Sequence, residues 1–490
     1  MTRMNRLHWL TAVAVAVMLG AFALRHISTA EVKNDAAQNL QMALNLSHHA
    51  VISLDVAAPY RPSMYREPLP IATDALAVSL LDLVLGRAEA KAYFGGVRAR
   101  LLKYPNLLWL ALLALGVFAA TRAFTASFWV ALAAAVLCLK PFLDETNLDS
   151  LNSDLPAAAL LILASFALAR AMFGGGPLLA LAAGVGFGLL TLTKASALYV
   201  ACGVLLALLL GHLAGIAQLR GPGFRLRLAL FAGSFLIAVT PWVARNAAIF
   251  GRAQIAERGG LAVYTRGLMD QMTAVEYRGT FYVWSRPRLQ RALGALLGFG
   301  PRDLRLGGSL QRLNEDLGSP VDALGLAAEN AGRPEAAPSF WRQGRAQRER
   351  LESEFERRAD PYPDVTADRV MQGQGLRMVM HHLARNLALS VPLLWRGGPL
   401  VFIALLLTLA HSVHARRYAL ALFILPALGM LLFYALITDL LPRYGFLAQP
   451  TAVAAILIAL CALWAERFSP TRAPAAARHA EAPAVARDPR

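Results

Sequence analysis

The sequence predicts an all-α, polytopic membrane protein with about ten transmembrane helices and a sizeable outer (periplasmic) segment. Three observations carry this. Hydrophobic residues make up 57% of the chain and charged residues only 16%, whereas soluble domains carry roughly 25% charged residues. Apolar runs approaching the roughly 20 residues needed to cross a bilayer recur along most of the chain. The short loops between these runs alternate in charge, which fixes an orientation.

Taken in order, the runs lie near 8–24, 105–121, 126–140, 155–170, 177–193, 195–212, 228–244, 397–411, 417–437 and 447–464. Residues 71–86 and 378–395 are apolar enough to lie in the membrane interface. The first run follows Arg3 and Arg6 and precedes Ser28-Thr29-Ala30, so it resembles a signal peptide. Its apolar core is long for that purpose, and an uncleaved anchor is the expectation.

With the N-terminus inside, the cytoplasmic loops hold Arg122, then Arg170, then Arg220, Arg225 and Arg227, then Arg416 and Arg417, without Asp or Glu. The loop 140–154, placed outside, carries Asp144, Glu145, Asp149 and Asp154. The expected location is the cell inner (plasma) membrane, with both termini cytoplasmic and the functional face periplasmic. The organisation that follows is an N-terminal transmembrane region 1–251 containing a first outer loop 25–104, an outer segment 252–378, a C-terminal transmembrane region 379–466, and a tail 467–490. The tail is rich in Ala, Arg and Pro and cannot bury a core. Within 252–378, the stretch from Arg342 to Arg358 reads as a charged surface helix with a solvated face.

Several function classes are excluded or disfavoured. The isoelectric point near 10.4 would suit nucleic acid, but the basic residues lie mainly in loops between apolar runs, so no nucleic-acid partner is expected. Cys138, Cys202 and Cys461 all fall in apolar runs and have neither disulfide-framework nor metal-ligand spacing. Gly184-Val185-Gly186-Phe187-Gly188 lies inside an apolar run, so it is read as close helix packing rather than a nucleotide loop. There is no P-loop, His-Glu-x-x-His or nucleophile elbow. The adjacent pairs His48-His49 and His381-His382 do not share a helix face and are read as surface or interface residues.

Charged residues near spans are costly and usually have a role. At the outer span ends stand Asp35, Glu67, Asp144, Glu145, Asp149, Asp154, Lys194, Arg245 and Arg443. A carboxylate beside an acceptor can serve as general base. Arg and Lys at helix ends can hold a phosphate, and carboxylates can hold a divalent cation through oxygen.

The residues then resemble a family. Pro241-Trp242-Val243-Ala244-Arg245-Asn246, followed by Phe250-Gly251 and Gly259-Gly260, is similar to a stretch of bacterial type C glycosyltransferases. These are multispan enzymes of the protein O-mannosyltransferase and aminoarabinose transferase kind. Other pieces agree in order. Asp35 follows the first span; Arg61-Pro62 and Arg66-Glu67-Pro68-Leu69-Pro70 resemble an Arg-x-Pro-Gly-Tyr-Pro stretch, with Leu69 where Tyr is usual. Leu151-Asn152-Ser153-Asp154 resembles a Ser-Glu, Leu192-Thr193-Lys194 a Leu-Thr-Arg, and Pro442-Arg443-Tyr444 an Arg-Tyr before the last span. The resemblance covers about 8–260 and 378–464.

It implies transfer of a sugar from a polyprenyl-phosphate donor to a lipid, glycan or protein acceptor, with inversion. Asp35 would be the general base. Arg245, Arg443 and Lys194 would hold the phosphate, with Glu67, Asp154 and Tyr444 also binding substrate. Asp144 and Glu145 would position the acceptor or hold a divalent cation. Other classes stay open: a transporter or flippase of a lipid-linked or anionic substrate, a polysaccharide polymerase or ligase, and an inactive relative serving as a scaffold. A transporter should place its ionisable residues near mid-membrane and often shows internal repeats; no repeat between the halves is evident.

Overall fold

The computed structural model describes residues 3–143, 147–221, 223–257, 259–315, 331, 338–439 and 441–468. Within these residues the chain is α-helical, with short 3-10 turns and no strand. In chain order the helices are α1 (Arg3–His26), α2 (Asn34–His49), α3 (Pro68–Leu85), α4 (Gly96–Leu102), α5 (Pro105–Thr125), α6 (Phe128–Leu139) and α7 (Asp154–Met172). Next come α8 (Pro177–Thr191), α9 (Ala197–Leu213), α10 (Ala217–Arg220), α11 (Phe224–Phe250), α12 (Gly259–Met269), α13 (Ala274–Val283) and α14 (Pro287–Leu297). The last six are α15 (Phe340–Arg357), α16 (Pro363–His381), α17 (Leu383–Gly397), α18 (Pro399–His414), α19 (Tyr418–Ile437) and α20 (Tyr444–Phe468).

The chain is a multi-pass α-helical membrane protein. Among the described residues, six stretches are long and apolar enough to cross a bilayer: α3, α4 and α5 together, α7, α11, α19 and α20. The apolar pair α17–α18 is bent by 106° at its break, so α18 alone continues in the direction of a crossing. Shorter apolar helices cover Leu10–His26, Phe128–Phe142, Pro177–Thr191 and Ala197–Leu213. Each apolar run read from the sequence falls on one of these helices. The addition is α3, which was read as interfacial and has the length of a span. Pro68 sets its first turn, where a missing N–H costs nothing. Its Leu76, Leu80, Leu83 and Val84 face outward, while Ile71 and Ala75 pack on Met42 and Ala43 of α2.

The bundle is organised around α7, whose small residues Ala157, Ala158, Ala159 and Ala164 are fully or nearly fully buried. Small side chains let backbones approach closely where no hydrophobic drive separates protein from lipid. The Gly184-x-Gly-x-Gly run does what its setting implied. A Cβ on Gly184 would lie 2.0 Å from Ser234 Oγ and 2.2 Å from Phe231 O of α11, and one on Gly186 would lie 3.0 Å from Ala164 Cβ.

Two polar segments join the same end of the bundle. The first, 27–104, is tied down by Lys103, whose buried Nζ donates to Ser28 O, Ala30 O and Asp149 Oδ1 at 3.2, 3.0 and 2.9 Å. Asp149 is thus a structural staple. The second runs from 252 into α17, built on α12 packed against α15 and α16. The boundary expected at 378 falls inside α16, because the helix continues to His381 before the chain turns toward the membrane. Residues 144–146 and 469–490, which include Asp144, Glu145 and nearly all of the expected tail, lie outside the described residues.

Candidate active site

A cavity of about 1000 Å³ lies between the bundle end and the two polar segments. Its lining includes Asp35, Glu67, Asp154, Lys194, Arg443 and Tyr444. These residues are far apart in sequence but alike in position, because each stands at a helix end. Asp35 is in the first turn of α2, Glu67 caps α3, and Asp154 begins α7. Lys194 fills the break between α8 and α9, and Arg443-Tyr444 opens α20. Charged groups at helix ends stay near water while their helices cross lipid.

Asp35 is the centre of the cluster. Its Oδ1 accepts from Arg66 Nη2 and its Oδ2 from Arg443 Nη2, both at 2.5 Å. The same Arg66 nitrogen also donates to Gln38 Oε1. The carboxylate is therefore forked between two guanidinium groups drawn from opposite ends of the sequence. Beside it, Lys194 Nζ pairs with Asp154 Oδ1 at 2.7 Å, with both side chains nearly buried. The Tyr444 ring lies 5.5 Å from that ammonium and 5.7 Å from the Arg443 guanidinium. Tyr444 stacks on Tyr434 at 4.2 Å, and Ser196 Oγ hydrogen-bonds Tyr434 Oη at 2.7 Å. Glu67 Oε1 accepts from the Ala195 amide at 3.3 Å, which fastens the entrance of α3 to the α8–α9 break.

The opposite wall comes from α15. Trp341, Arg345, Arg348, Glu349, Glu352 and Glu356 line the cavity, at spacings of three and four residues that define one helix face. The stretch read as a solvated helix therefore turns one side inward. Arg348 is buried and pairs with Glu257 at 2.9 Å and Glu352 at 2.5 Å. Its guanidinium also lies 5.1 Å from the Tyr65 ring, next to Arg66, so the two walls touch at the charged cluster. Behind α15, Asp368 of α16 accepts from the Gly260 amide at 2.9 Å. A Cβ at Gly260 would lie 2.1 Å from Asp368 O, which accounts for the glycine there. Burial pushes the Asp368 carboxyl up to about 6, against the pull of Arg348 and the Gly260 amide. Burial also raises Glu257, helped by Asp364.

One expected ligand stands elsewhere. Arg245 is not among the residues that line the cavity. Its Nη1 donates to Ser63 O at 3.3 Å and Asn246 Oδ1 at 2.8 Å. Its guanidinium lies over Trp242 at 4.6 Å and near Phe250 at 5.4 Å. The neighbouring Trp242 Nε1 and Asn246 Nδ2 donate to Ile255 O at 2.7 Å and Gln254 O at 2.8 Å. The Pro-Trp-x-x-Arg-Asn stretch thus fastens the end of α11 to both polar segments. In this structure the Arg245 side chain is sandwiched between aromatic rings on its own helix and braces the end of α11.

Beyond the α15 face, Arg66 and Tyr434 are lining residues that the sequence reading did not single out. Arg66 lies inside the quoted Arg-Glu-Pro stretch, so its place just before a proline-started helix was the available signal. Tyr434 sits within an unbroken apolar run and gave none. Asp144 and Glu145, the expected metal ligands, lie outside the described residues, and those described contain no group of three or more His, Cys, Asp or Glu side chains arranged to hold a metal ion.

No protein-family model matches the chain, and no curated protein matches it. Among solved structures it is similar to the archaeal oligosaccharyltransferase AglB from Archaeoglobus fulgidus, determined in complex with an inhibitory peptide and a dolichol-phosphate. The identity is 16% and the TM-score 0.43, over 94% of this chain and 52% of that one. The chain thus spans about half the length of that enzyme, and a likeness of this extent assigns it no activity.

Proposed function

We propose that this protein is a membrane glycosyltransferase that moves a sugar from a polyprenyl-phosphate donor to an acceptor held in the cavity, on the periplasmic face of the inner membrane. The observation that carries the reading is the Asp35 carboxylate forked between Arg66 and Arg443 in a cavity with two kinds of wall. Near the cluster the lining is charged. Toward the bundle it includes Leu198, Tyr199, Phe433 and Ile437, and Tyr199 is exposed on the bundle surface and stacked on Phe433. A donor with a phosphate head and a polyprenyl tail matches that division.

The steps follow from the side chains. The donor phosphate competes with Asp35 for Arg443, and Lys194 lies close by to add charge-assisted contacts. Asp35 keeps Arg66, which holds its orientation. The acceptor oxygen or nitrogen then attacks the anomeric carbon. The bond from that carbon to the phosphate oxygen breaks, and polyprenyl phosphate leaves with the electron pair. Asp35 takes the acceptor proton. A single displacement inverts the anomeric centre. Tyr444, set between Lys194 and Arg443, would bound the donor head, and Asp154 would hold Lys194 in place. Glu67, held to the Ala195 amide, would fix the position of Arg66.

The test is transfer of radiolabelled sugar from a panel of polyprenyl-phosphate sugars in membranes containing the protein. Label moving to a lipid, glycan or protein supports the reading. Movement of intact donor between leaflets, with no transfer from any donor, favours a flippase instead.

A further inference from the structure

Among the described residues, the second polar segment and α17 carry two exposed amphipathic faces. Along α14, Leu289, Ala292 and Leu296 are exposed and share one face, with Leu293 half-buried beside them. Leu296 is 78% and Leu289 43% exposed. Arg286, Arg288 and Arg291, all exposed, flank this face. A second apolar stripe runs along α17 through Leu383, Leu387 and Val391, all exposed, while Asn386, Leu389, Ser390 and Leu393 bury the other side.

The fold brings both surfaces to the start of the apolar helix α18. The axes of α17 and α18 meet at 106°. With α18 set along the bilayer normal, that angle lays α17 close to the membrane plane. The base of α14 is pinned to the last turn of α17. Trp395 Nε1 donates to Ser285 Oγ at 2.9 Å, the Arg396 guanidinium lies 5.0 Å from the Trp284 ring, and Phe281 packs on Trp395 at 5.7 Å. Tyr277 Oη adds a bond to Ala388 O at 3.0 Å. Tryptophan and arginine at a span end mark the headgroup region. So α14 starts where the chain enters the membrane, with leucines on one face and arginines beside them.

We infer that α14 and α17 together form a platform that lies on the bilayer, with Arg286, Arg288 and Arg291 bound to anionic phospholipid headgroups and the leucines sunk into the acyl boundary. Helices of this composition lie in the interface plane, and their attachment grows with buried apolar area and with anionic lipid. Each Arg near an anionic surface adds roughly 1 kcal/mol, a five-fold gain in attachment. The platform would hold the second polar segment, and with it the α15 wall, at a fixed height over the cavity. The inference rests on the fold alone and stands whether or not sugar transfer does.

The test uses the full chain in vesicles. With Cys138, Cys202 and Cys461 changed to alanine, Leu296→Cys carries a polarity-sensitive fluorophore, which its exposure allows without disturbing a core. In vesicles containing phosphatidylglycerol the label should be quenched by lipid-borne quenchers and shielded from aqueous iodide. In pure phosphatidylcholine, lipid quenching should fall several-fold, and Arg288→Glu/Arg291→Glu should abolish the difference between the two vesicles. Hydrogen exchange over 287–297 of the wild type in nanodiscs gives the same comparison without substitutions, and should slow with phosphatidylglycerol. A label open to iodide in both vesicles, or exchange indifferent to the bilayer, overturns the platform. Equal lipid quenching in the two vesicles overturns the role of anionic headgroups.

Discussion

Asp368→Asn is expected to stabilise the protein at neutral pH and to leave it unchanged in acid. The carboxyl is buried in α16 at the lining of the cavity, and burial pushes it from 3.8 up to about 6. For a carboxyl raised on folding, the folded state holds the proton more tightly. Its contribution to stability is therefore fully present below the unfolded value and is lost as pH rises through the folded one. The interval from 3.8 to about 6, at roughly 1.4 kcal/mol per pH unit, is worth about 3 kcal/mol. Asparagine keeps an oxygen to accept the Gly260 amide at 2.9 Å and never ionises. Arg348 keeps Glu257 and Glu352 as partners. The assay is thermal unfolding of the purified protein in detergent, wild type against variant, from pH 4 to 7.5. The two should coincide near pH 4 and diverge up to pH 6, the variant ending higher by roughly 3 °C. A gap that does not change with pH, or a variant less stable at pH 7.5, would refute the reasoning.

Arg443→Gln removes a charge-assisted contact from the proposed donor site. It should raise the KM for donor by about 10- to 100-fold, equivalent to about 1.5–3 kcal/mol, as measured by initial rates in membranes. Arg245→Ala should do the opposite: the donor KM stays within about two-fold, while the brace to Ser63 and the aromatic stack are lost at a cost of about 1–2 kcal/mol, read as a lower melting temperature. Gly184→Ala should reduce the folded protein recovered from membranes, with a cost of about 1–3 kcal/mol or more. Adding Ser234→Ala should not restore it, because Phe231 O still stands 2.2 Å from the new Cβ.

The membrane part was legible because its determinant is local. A run such as 417–437 must be helical in lipid whatever surrounds it, since unpaired backbone groups cannot be left there, and α19 follows it closely. Residues 71–86, read as interfacial, form α3, which has the length of a span; its Asp82 is taken up by His48 of α2, Tyr93 and Arg98 of α4. Asp35, Asp154, Lys194 and Arg443 could be singled out as charges at span ends, and the cavity gathers them. Their pairing could not be read: Asp35 meets Arg443 across most of the chain, and such contacts depend on how spans pack. Arg245 shows the reverse, since its motif was the clearest in the sequence, yet stacking on Trp242 decides where its side chain goes. The inward turn of α15 depends on the burial of Arg348 between Glu257 and Glu352, which charge patterning alone reads as solvent-facing.

The central claim is that Asp35 takes the acceptor proton while Arg443 is shared between it and the donor. Steady-state transfer by Asp35→Asn, with protein in the membrane matched to wild type, tests it most directly. The predicted result is a kcat lower by at least about 100-fold, with a donor KM unchanged or reduced, because Arg443 is released to the phosphate. Transfer within a few-fold of wild type, or a loss confined to KM, would contradict it.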